Sequence, residues 1–358
     1  MWNRIRVSAP GRLCLFGEHQ DFLRLSVIAQ AIDLDITIEA VPQAGGRITL
    51  DLPDICQRDE FSAVTGREYR HDRDYLPSVV RVLQREGYEL PGLAGTVRGT
   101  IPINSGTSSS SALVVAWTAL LMTAATGEAP DGATVAKLAH RAEVLEFNEP
   151  GGMMDHYTSA LGGLLYIDCA EPIRVEPLPA KLEGFVLGDS LVRKPTTATL
   201  LKTRVAVRAA VETLTREYPD FDLRATQWAE IAELAERLPV EQLKPLQAQF
   251  INRDLCQEAR RMLSAETEWN PARLGEMLLE HQAQLRDWVE VSHPRLDDLI
   301  EAAVEAGALG GKLNGSGGGG AMFAYAPGRQ EEVKAAIDHA GGRGIIVSPR
   351  AGVRVEIE

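Results

Sequence analysis

The stretch that most restricts the fold is "SGTSSSSALVVAWTALLMTAA", from Ser105 to Ala125. From Ser111 onward it is apolar on every side, so the helix it predicts has to be enclosed by the rest of the molecule. The apolar run from Ala112 to Ala125 carries Thr118 and Thr123, and it falls short of the roughly 20 residues a membrane span needs. It reads as a central helix with a serine-rich turn at its mouth. A chain of 358 residues, 45% hydrophobic and 24% charged, can enclose such a helix and is long enough for two domains.

The formal net charge is -13. Such a surface repels nucleic acid and anionic lipid, so neither a nucleic-acid nor a membrane partner is expected. Cys14, Cys56, Cys169 and Cys256 are widely spaced, without the paired spacing of a zinc site or a disulfide framework. The opening "MWNRIRVSAPGR" has no apolar signal core. A cytoplasmic protein with reduced thiols is the expectation.

The pattern along the chain is mixed. "IRVSAPGRLCLFGEHQDF" reads as a strand, a Pro-Gly turn, a second strand and a polar loop. "AIDLDITIEA" and "GRITLDL" alternate like half-buried strands. "DGATVAKLAHRAEVLEF" predicts an amphipathic helix whose stripe is Val135, Leu138, Ala139, Ala142 and Leu145. From about Thr199 to Ala306 the sequence is strongly helical. A glycine loop, a strand, a helix and a last strand, "GVRVEIE", complete the chain. This order points to an α+β chain of two domains, residues 1–185 and 186–358.

Three glycine-bearing stretches carry chemistry. The turn from Ser105 to Ser111 places backbone N–H groups and hydroxyls where a helix begins, a natural seat for phosphate. A serine hydroxyl there suits Mg²⁺, which prefers oxygen. The plain alternative is a serine cap in a solvated turn. "GSGGGG" contains Gly315, Gly317 and Gly320 at dinucleotide-motif spacing, but "AMFAYA" after it is strand-like, which rejects that motif. "APGRLCLFGEHQDF" concentrates Arg12, Glu18, His19 and Asp21. Such a set suits a polyhydroxylated or anionic small molecule, or else a solvated loop with a surface ion pair.

In this order the three stretches resemble the GHMP kinases. "APGRLCLFGEHQDF" resembles the family's first motif in its galactokinase form, "PINSGTSSSSA" its second and "GALGGKLNGSGGGG" its third. "GGMMDHYTSALGG" is similar to the galactokinase G-I-M-D-Q segment, and "VSHPRLDDLIEAA" to a superfamily helix. The resemblance implies an N-terminal mixed sheet with a left-handed βαβ unit, a C-terminal ferredoxin-like domain and an active site between them. It implies ATP and Mg²⁺ as cofactors. Asn104, Ser105, Gly106, Thr107, Ser108, Ser109, Ser110 and Ser111, with Gly315, Ser316, Gly317 and Gly318, would hold the ATP phosphates. Ser110 and Glu143 would hold the metal. Glu143 has the galactokinase spacing to Asp155, whereas helix geometry alone turns its rival Glu146 inward.

By the same resemblance Asp155 lies beside the accepting hydroxyl, as base or as orienting group. Arg12 would keep Asp155 ionised and offset charge on the moving phosphoryl group. Glu18, His19, Asp21 and Gly152 would bind the acceptor, with Lys194 at a galactokinase histidine position and Leu201 at a tyrosine position. The loop "DFLRL" lacks the galactokinase glycine pair, and the tyrosine-bearing segment is replaced by "KPTTATLLKTR". The expected acceptor is therefore a monosaccharide or sugar derivative other than galactose, phosphorylated at its anomeric hydroxyl. Arg24 and Lys194 leave room for an acidic sugar. The alternatives are a mevalonate-type or other non-sugar alcohol kinase, and a non-catalytic sugar sensor on the same fold.

Overall fold

The computed structural model describes residues 2–65, 67–102, 106–193, 196–265 and 269–358, the side chains of 196 and 197 excepted. The chain begins with strands β1 (Ile5–Phe16), β2 (Val27–Pro42), β3 (Arg47–Leu52) and β4 (Gln57–Ser62), then helix α1 (Tyr75–Arg85) and β5 (Leu93–Gly99). Helices α2 (Ser109–Thr126), α3 (Gly132–His140) and α4 (Met154–Leu161) come after it, then strands β6 (Leu164–Asp168), β7 (Arg174–Pro177) and β8 (Phe185–Asp189). A run of helices comes next: α5 (Thr196–Glu217), α6 (Trp228–Ala235), α7 (Val240–Leu263), α8 (Pro271–Asp287) and α9 (Pro294–Glu305). The chain ends with β9 (Gly310–Asn314), β10 (Ala321–Tyr325), α10 (Gln330–His339), β11 (Arg343–Val347) and β12 (Arg354–Ile357).

Two sheets organise these elements. The first runs β12-β1-β2-β5-β3-β4, with β6 on β2 and β7 on β6. It is antiparallel except for β3 on β5, the parallel pair that a βαβ unit through α1 requires. The second sheet runs β11-β8-β10-β9 and is antiparallel throughout. Numbered by its own strands, that order is 4-1-3-2, a ferredoxin-like arrangement backed by α9 and α10.

Helix α2 is the enclosed helix that the sequence requires. Val114, Val115, Ala116, Trp117, Ala119, Leu120 and Leu121 are all essentially inaccessible to solvent. The Trp117 indole donates to the Leu76 carbonyl at 3.0 Å, which satisfies its one polar atom. Although the apolar run by itself is short, the whole of α2, Ser109–Thr126, is long and apolar enough by length and composition to cross a membrane. Its burial under the first sheet and helices α1, α3 and α4 accounts for the apolar surface instead.

Two sequence expectations are corrected here. Pro10-Gly11 is not a turn: β1 continues through it, and the register with β2 shifts between Pro10 and Arg12. A bulge absorbs the missing proline N–H. The glycine is needed because a Cβ there would lie 2.7 Å from the Thr107 carbonyl oxygen. Second, α3 ends in a π-helical turn over Arg141–Leu145, with the Glu146 amide donating to the Arg141 carbonyl at 2.9 Å. The extra residue rotates the side chains of this turn relative to those of α3. Leu145 thus leaves the apolar stripe and is 61% exposed, while Glu143 turns inward and is buried. The last strand, β12, pairs with β1 at the edge of the first sheet.

An apolar cluster joins the two sheets. Leu13, Phe16 and Ile28 of the first sheet share it with Phe185, Leu187 and Phe323 of the second and with Cys256 and Leu278 from α7 and α8. The last segment is clipped to the first sheet where Gly162 and Gly352 meet. Gly162 has φ +74°, and a Cβ there would sit 1.8 Å from the Gly352 amide nitrogen. Gly162→Ala is expected to lower the unfolding free energy by about 2 kcal/mol or more, through both strain and collision. Gly127→Ala, also left-handed but facing open space, is expected to cost only about 1 kcal/mol. Urea denaturation of the two variants measures the difference.

Candidate active site

The two halves of the chain enclose a cleft of about 320 Å³. Its walls bring together segments as far apart in sequence as Arg12 and Ser316. Arg12, Glu18, His19 and Asp21 come from the end of β1 and the loop after it. Gly106 and Ser108–Ser111 come from the turn into α2, and Glu143 from the π-helical turn. Gly152, Asp155 and His156 come from around the start of α4, and Gly315 and Ser316 from the β9–β10 turn.

The backbone explains why these loops converge. Ser108 has φ +62° and precedes the first residue of α2, so the Ser109–Ser111 amides begin the helix at the cleft wall. Those N–H groups have no carbonyl one turn before them, and they carry the positive end of the helix dipole. Gly315 has φ +83°, and a Cβ there would lie 2.6 Å from the Gly106 carbonyl oxygen. Asn314 links the three motifs. Its amide nitrogen donates to the Arg12 and Gly106 carbonyls at 3.2 and 3.1 Å, and its side-chain oxygen accepts from the Cys14 amide at 2.9 Å.

Beneath the cleft lies a buried ion pair. The Lys312 ammonium is inaccessible to solvent and donates to Glu18 Oε2 at 2.6 Å, the Cys14 carbonyl at 3.0 Å and the Leu313 carbonyl at 2.7 Å. All three ammonium protons are thereby used. Glu18 Oε1 accepts from the Gly315 amide. One carboxylate thus ties the first strand's loop to the glycine turn.

Asp155 and Arg12 face each other, Nε to Oδ1 at 2.8 Å, and the Arg12 Nη1 also donates to the Gly106 carbonyl. Burial works against a charge on Asp155, yet Arg12, with His156 adding to it, outweighs burial and holds the carboxyl below its usual range. Asp155 is therefore ionised at neutral pH and opens 28% of its side chain to the cleft. Asp21 is the opposite case. Burial and the neighbouring charge of Asp155 push it up to about 6, although the Met154 and Phe22 amides bond to its oxygens. Gly152 makes room for it, since a Cβ there would come 2.1 Å from the Asp21 carboxyl carbon.

Glu143 is buried, with Oε2 2.8 Å from His156 Nε2, and it lines the cleft. Glu146 lies elsewhere: it accepts from Arg85 and from the Tyr69 hydroxyl, and Arg85 holds its carboxyl low. Ser110, exposed at the α2 start, lines the same cavity as Glu143. Both offer oxygen to a hard cation, and Mg²⁺ typically takes its remaining ligands from phosphate and water. Among the described residues no group of three or more His, Cys, Asp or Glu side chains could hold an ion by itself. The residues fit Mg²⁺ only with a phosphate ligand present. The Ser316 hydroxyl, buried and without a protein partner among the described residues, lines the same cavity.

Several expected positions differ. Asn104, Ser105 and Lys194 lie outside the described residues. Thr107 is buried behind the serine turn, with its carbonyl accepting from the Arg12 amide at 3.3 Å. Gly317 and Gly318 are off the cleft wall, because the glycine turn folds back and the Gly318 amide donates to the Val291 carbonyl. Arg24 is exposed and absent from the wall. Leu200, not Leu201, reaches the cleft, while Leu201 is 49% exposed. The sequence reading missed Arg73, Tyr75, Glu149, His156 and Lys312. His156 and Lys312 stood inside quoted motifs, but Arg73 and Tyr75 carry no motif.

This geometry defines the class: a small-molecule site in which the mouth of a buried helix and a glycine turn face an ionised Asp–Arg pair. Comparison with known proteins agrees. The sequence model of the GHMP kinases N terminal domain matches residues 74–163, that of the GHMP kinases C terminal region 268–343, and a galactokinase galactose-binding signature 3–42. A mevalonate kinase of Thermococcus sibiricus is 30% identical over 99% of this chain and 98% of its own length. A galactokinase of Thermococcus kodakarensis is 29% identical over 89% of each. The solved galactokinase of Lactococcus lactis, complexed with galactose, superposes with a TM-score of 0.85 at 20% identity, covering 98% of this chain and 95% of its own. The chain belongs to the GHMP kinase family.

The site's electrostatics can be measured in two ways. Lys312→Met would leave the Glu18 carboxylate buried and unpaired, and is expected to cost about 3–5 kcal/mol in denaturant unfolding. Asp21 has a raised pKa in the folded state, so its charge costs stability as pH rises from its unfolded value through about 6. Asp21→Asn removes that cost. Relative to the parent, its unfolding free energy should climb between about pH 4 and pH 6 and level off above, by at most about 3 kcal/mol.

Proposed function

We propose that this protein is an ATP-dependent, Mg²⁺-requiring phosphotransferase acting on the hydroxyl of a monosaccharide or sugar derivative, with the anomeric hydroxyl as acceptor. One observation carries the choice of a sugar. The acceptor end of the cleft is lined by carboxylates, Asp21, Asp155 and Glu18, and the described cations beside them pair with these groups, Arg12 with Asp155 and Lys312 with Glu18. Hydroxyl groups donate to such acceptors. A carboxylate-bearing acceptor would meet like charge. The bonds that Glu18 and Asp21 make to backbone amides leave lone pairs on both groups.

In this reading the Ser109–Ser111 amides, Gly106, Gly315 and Ser316 cradle the phosphates. Ser110 and Glu143 hold Mg²⁺, which neutralises phosphate charge during transfer. Asp155 accepts or orients the proton of the attacking hydroxyl, and Arg12 fixes its charge and position. The wholly apolar α2 behind the amides lowers the local dielectric and strengthens their pull on phosphate.

A second reading, a mevalonate-type kinase, is favoured by the full-length similarity to the Thermococcus sibiricus enzyme. A panel of monosaccharides, sugar acids and mevalonate with ATP and Mg²⁺ separates the two. Acid-labile sugar phosphate supports the proposal, and turnover of mevalonate alone overturns it. Asp155→Asn is expected to lower kcat about 10²- to 10⁴-fold while the Kd for ATP stays within about twofold of the parent. Turnover unchanged by that substitution would sink the assigned role of Asp155. Ser110→Ala should raise the Mg²⁺ concentration needed for half-maximal rate.

A further inference from the structure

The cleft has a second arginine that no motif marks. Arg73 stands in the loop before α1, in a left-handed backbone conformation with φ +68°. It lines the same cavity as Ser109–Ser111 and Glu143. A left-handed arginine costs about 1 kcal/mol or more, and such strain persists where the surroundings impose it. Here the surroundings are specific. Glu149 takes the guanidinium in a two-point pair, Nε at 2.7 Å and Nη2 at 2.6 Å. The Tyr75 hydroxyl donates to the same carboxylate at 2.9 Å, and its ring lies 6.0 Å from the guanidinium carbon. The Arg204 guanidinium donates to the Glu149 carbonyl at 3.2 Å, which fixes the segment from the α5 side.

A two-point pair orients the guanidinium plane but uses only two of its five N–H donors. Nη1 has no protein partner among the described residues, and the side chain is 42% exposed. Arg12, the other arginine on the cleft wall, is buried and holds Asp155 and the Gly106 carbonyl. Among the described residues, the polyphosphate end of the cleft would otherwise rely on amides, hydroxyls and a metal ion. We propose that Arg73, held in plane by Glu149 and Tyr75, is a further nucleotide-binding residue whose Nη1 contacts a phosphate oxygen of ATP. This rests on the phosphotransferase reading above. It adds a cation that the serine turn and the glycine turn do not supply. Glu149 and Tyr75 are positioning residues that act through Arg73.

The test is nucleotide binding by the full chain, measured by calorimetry with MgADP and by displacement with adenosine. Arg73→Asn keeps a residue that tolerates the left-handed conformation, and Arg73→Lys keeps the charge. Thermal midpoints identify the folded variants. The proposal expects Arg73→Asn to weaken MgADP about ten- to a hundredfold, the worth of one charge-assisted hydrogen bond. Arg73→Lys should lose less, and adenosine should stay within about twofold. Glu149→Gln should weaken MgADP by a smaller factor, since Arg73 remains but is less well held. MgADP affinity within twofold of the parent in every folded Arg73 variant overturns the proposal. So does an equal loss for adenosine, which would put Arg73 on the base. If the parent chain itself fails to bind MgADP, the phosphotransferase reading falls rather than the role of Arg73 within it.

Discussion

The buried pair between Lys312 and Glu18 is the constraint on which the site depends. Lys312 belongs to the second sheet and Glu18 to the loop after the first strand of the first sheet, so their contact sets the two halves against each other. Charges taken out of water are costly unless every remaining donor and acceptor is met. Here the three ammonium protons and both carboxylate oxygens are met. The Gly315 amide completes the set, and through it the glycine turn lies against Gly106. Geometry this exacting tolerates little relative movement of the two sheets at that point, and the cleft lies directly above it.

The site then divides its carboxylates by environment. Asp155 beside Arg12 stays ionised despite burial, whereas Asp21 is pushed up by burial and by Asp155 itself. Two acids a short distance apart thus have different protonation behaviour without any change of residue type. The arginine that separates them follows Gly11, where β1 passes close to the Thr107 carbonyl and its register with β2 shifts. A local irregularity of one strand and the ionisation of a carboxyl on α4 are parts of the same packing arrangement.

Much of this was legible in the sequence, and the misses have physical causes. The apolar run after Ser111 required an enclosed helix, and residues that share motifs did converge on one cleft. Periodicity misplaced Leu145 because it assumes 3.6 residues per turn through a segment that takes a π-turn. It also turned Glu146 inward rather than Glu143. Pro-Gly read as a turn because local signals cannot register a distant carbonyl. Glu18 and Asp21 read as open hydrogen-bonding groups, but in the fold they also anchor the Gly315 and Met154 amides. Arg73 was invisible because its importance comes from Glu149 and the cleft around it, which only the tertiary structure brings together.

The return of β12 to β1 has a consequence for how this molecule is made. Ile5 pairs with Ile357, so a strand has to wait for a partner synthesised about 350 residues after it. At typical synthesis speeds of about 5–20 residues per second, that wait is on the order of tens of seconds. Throughout it, one border of the larger sheet stands unpaired and open to strangers. Newly made chains should accordingly lean on chaperones until β12 is made, and slowing translation between the two strands should increase their aggregation.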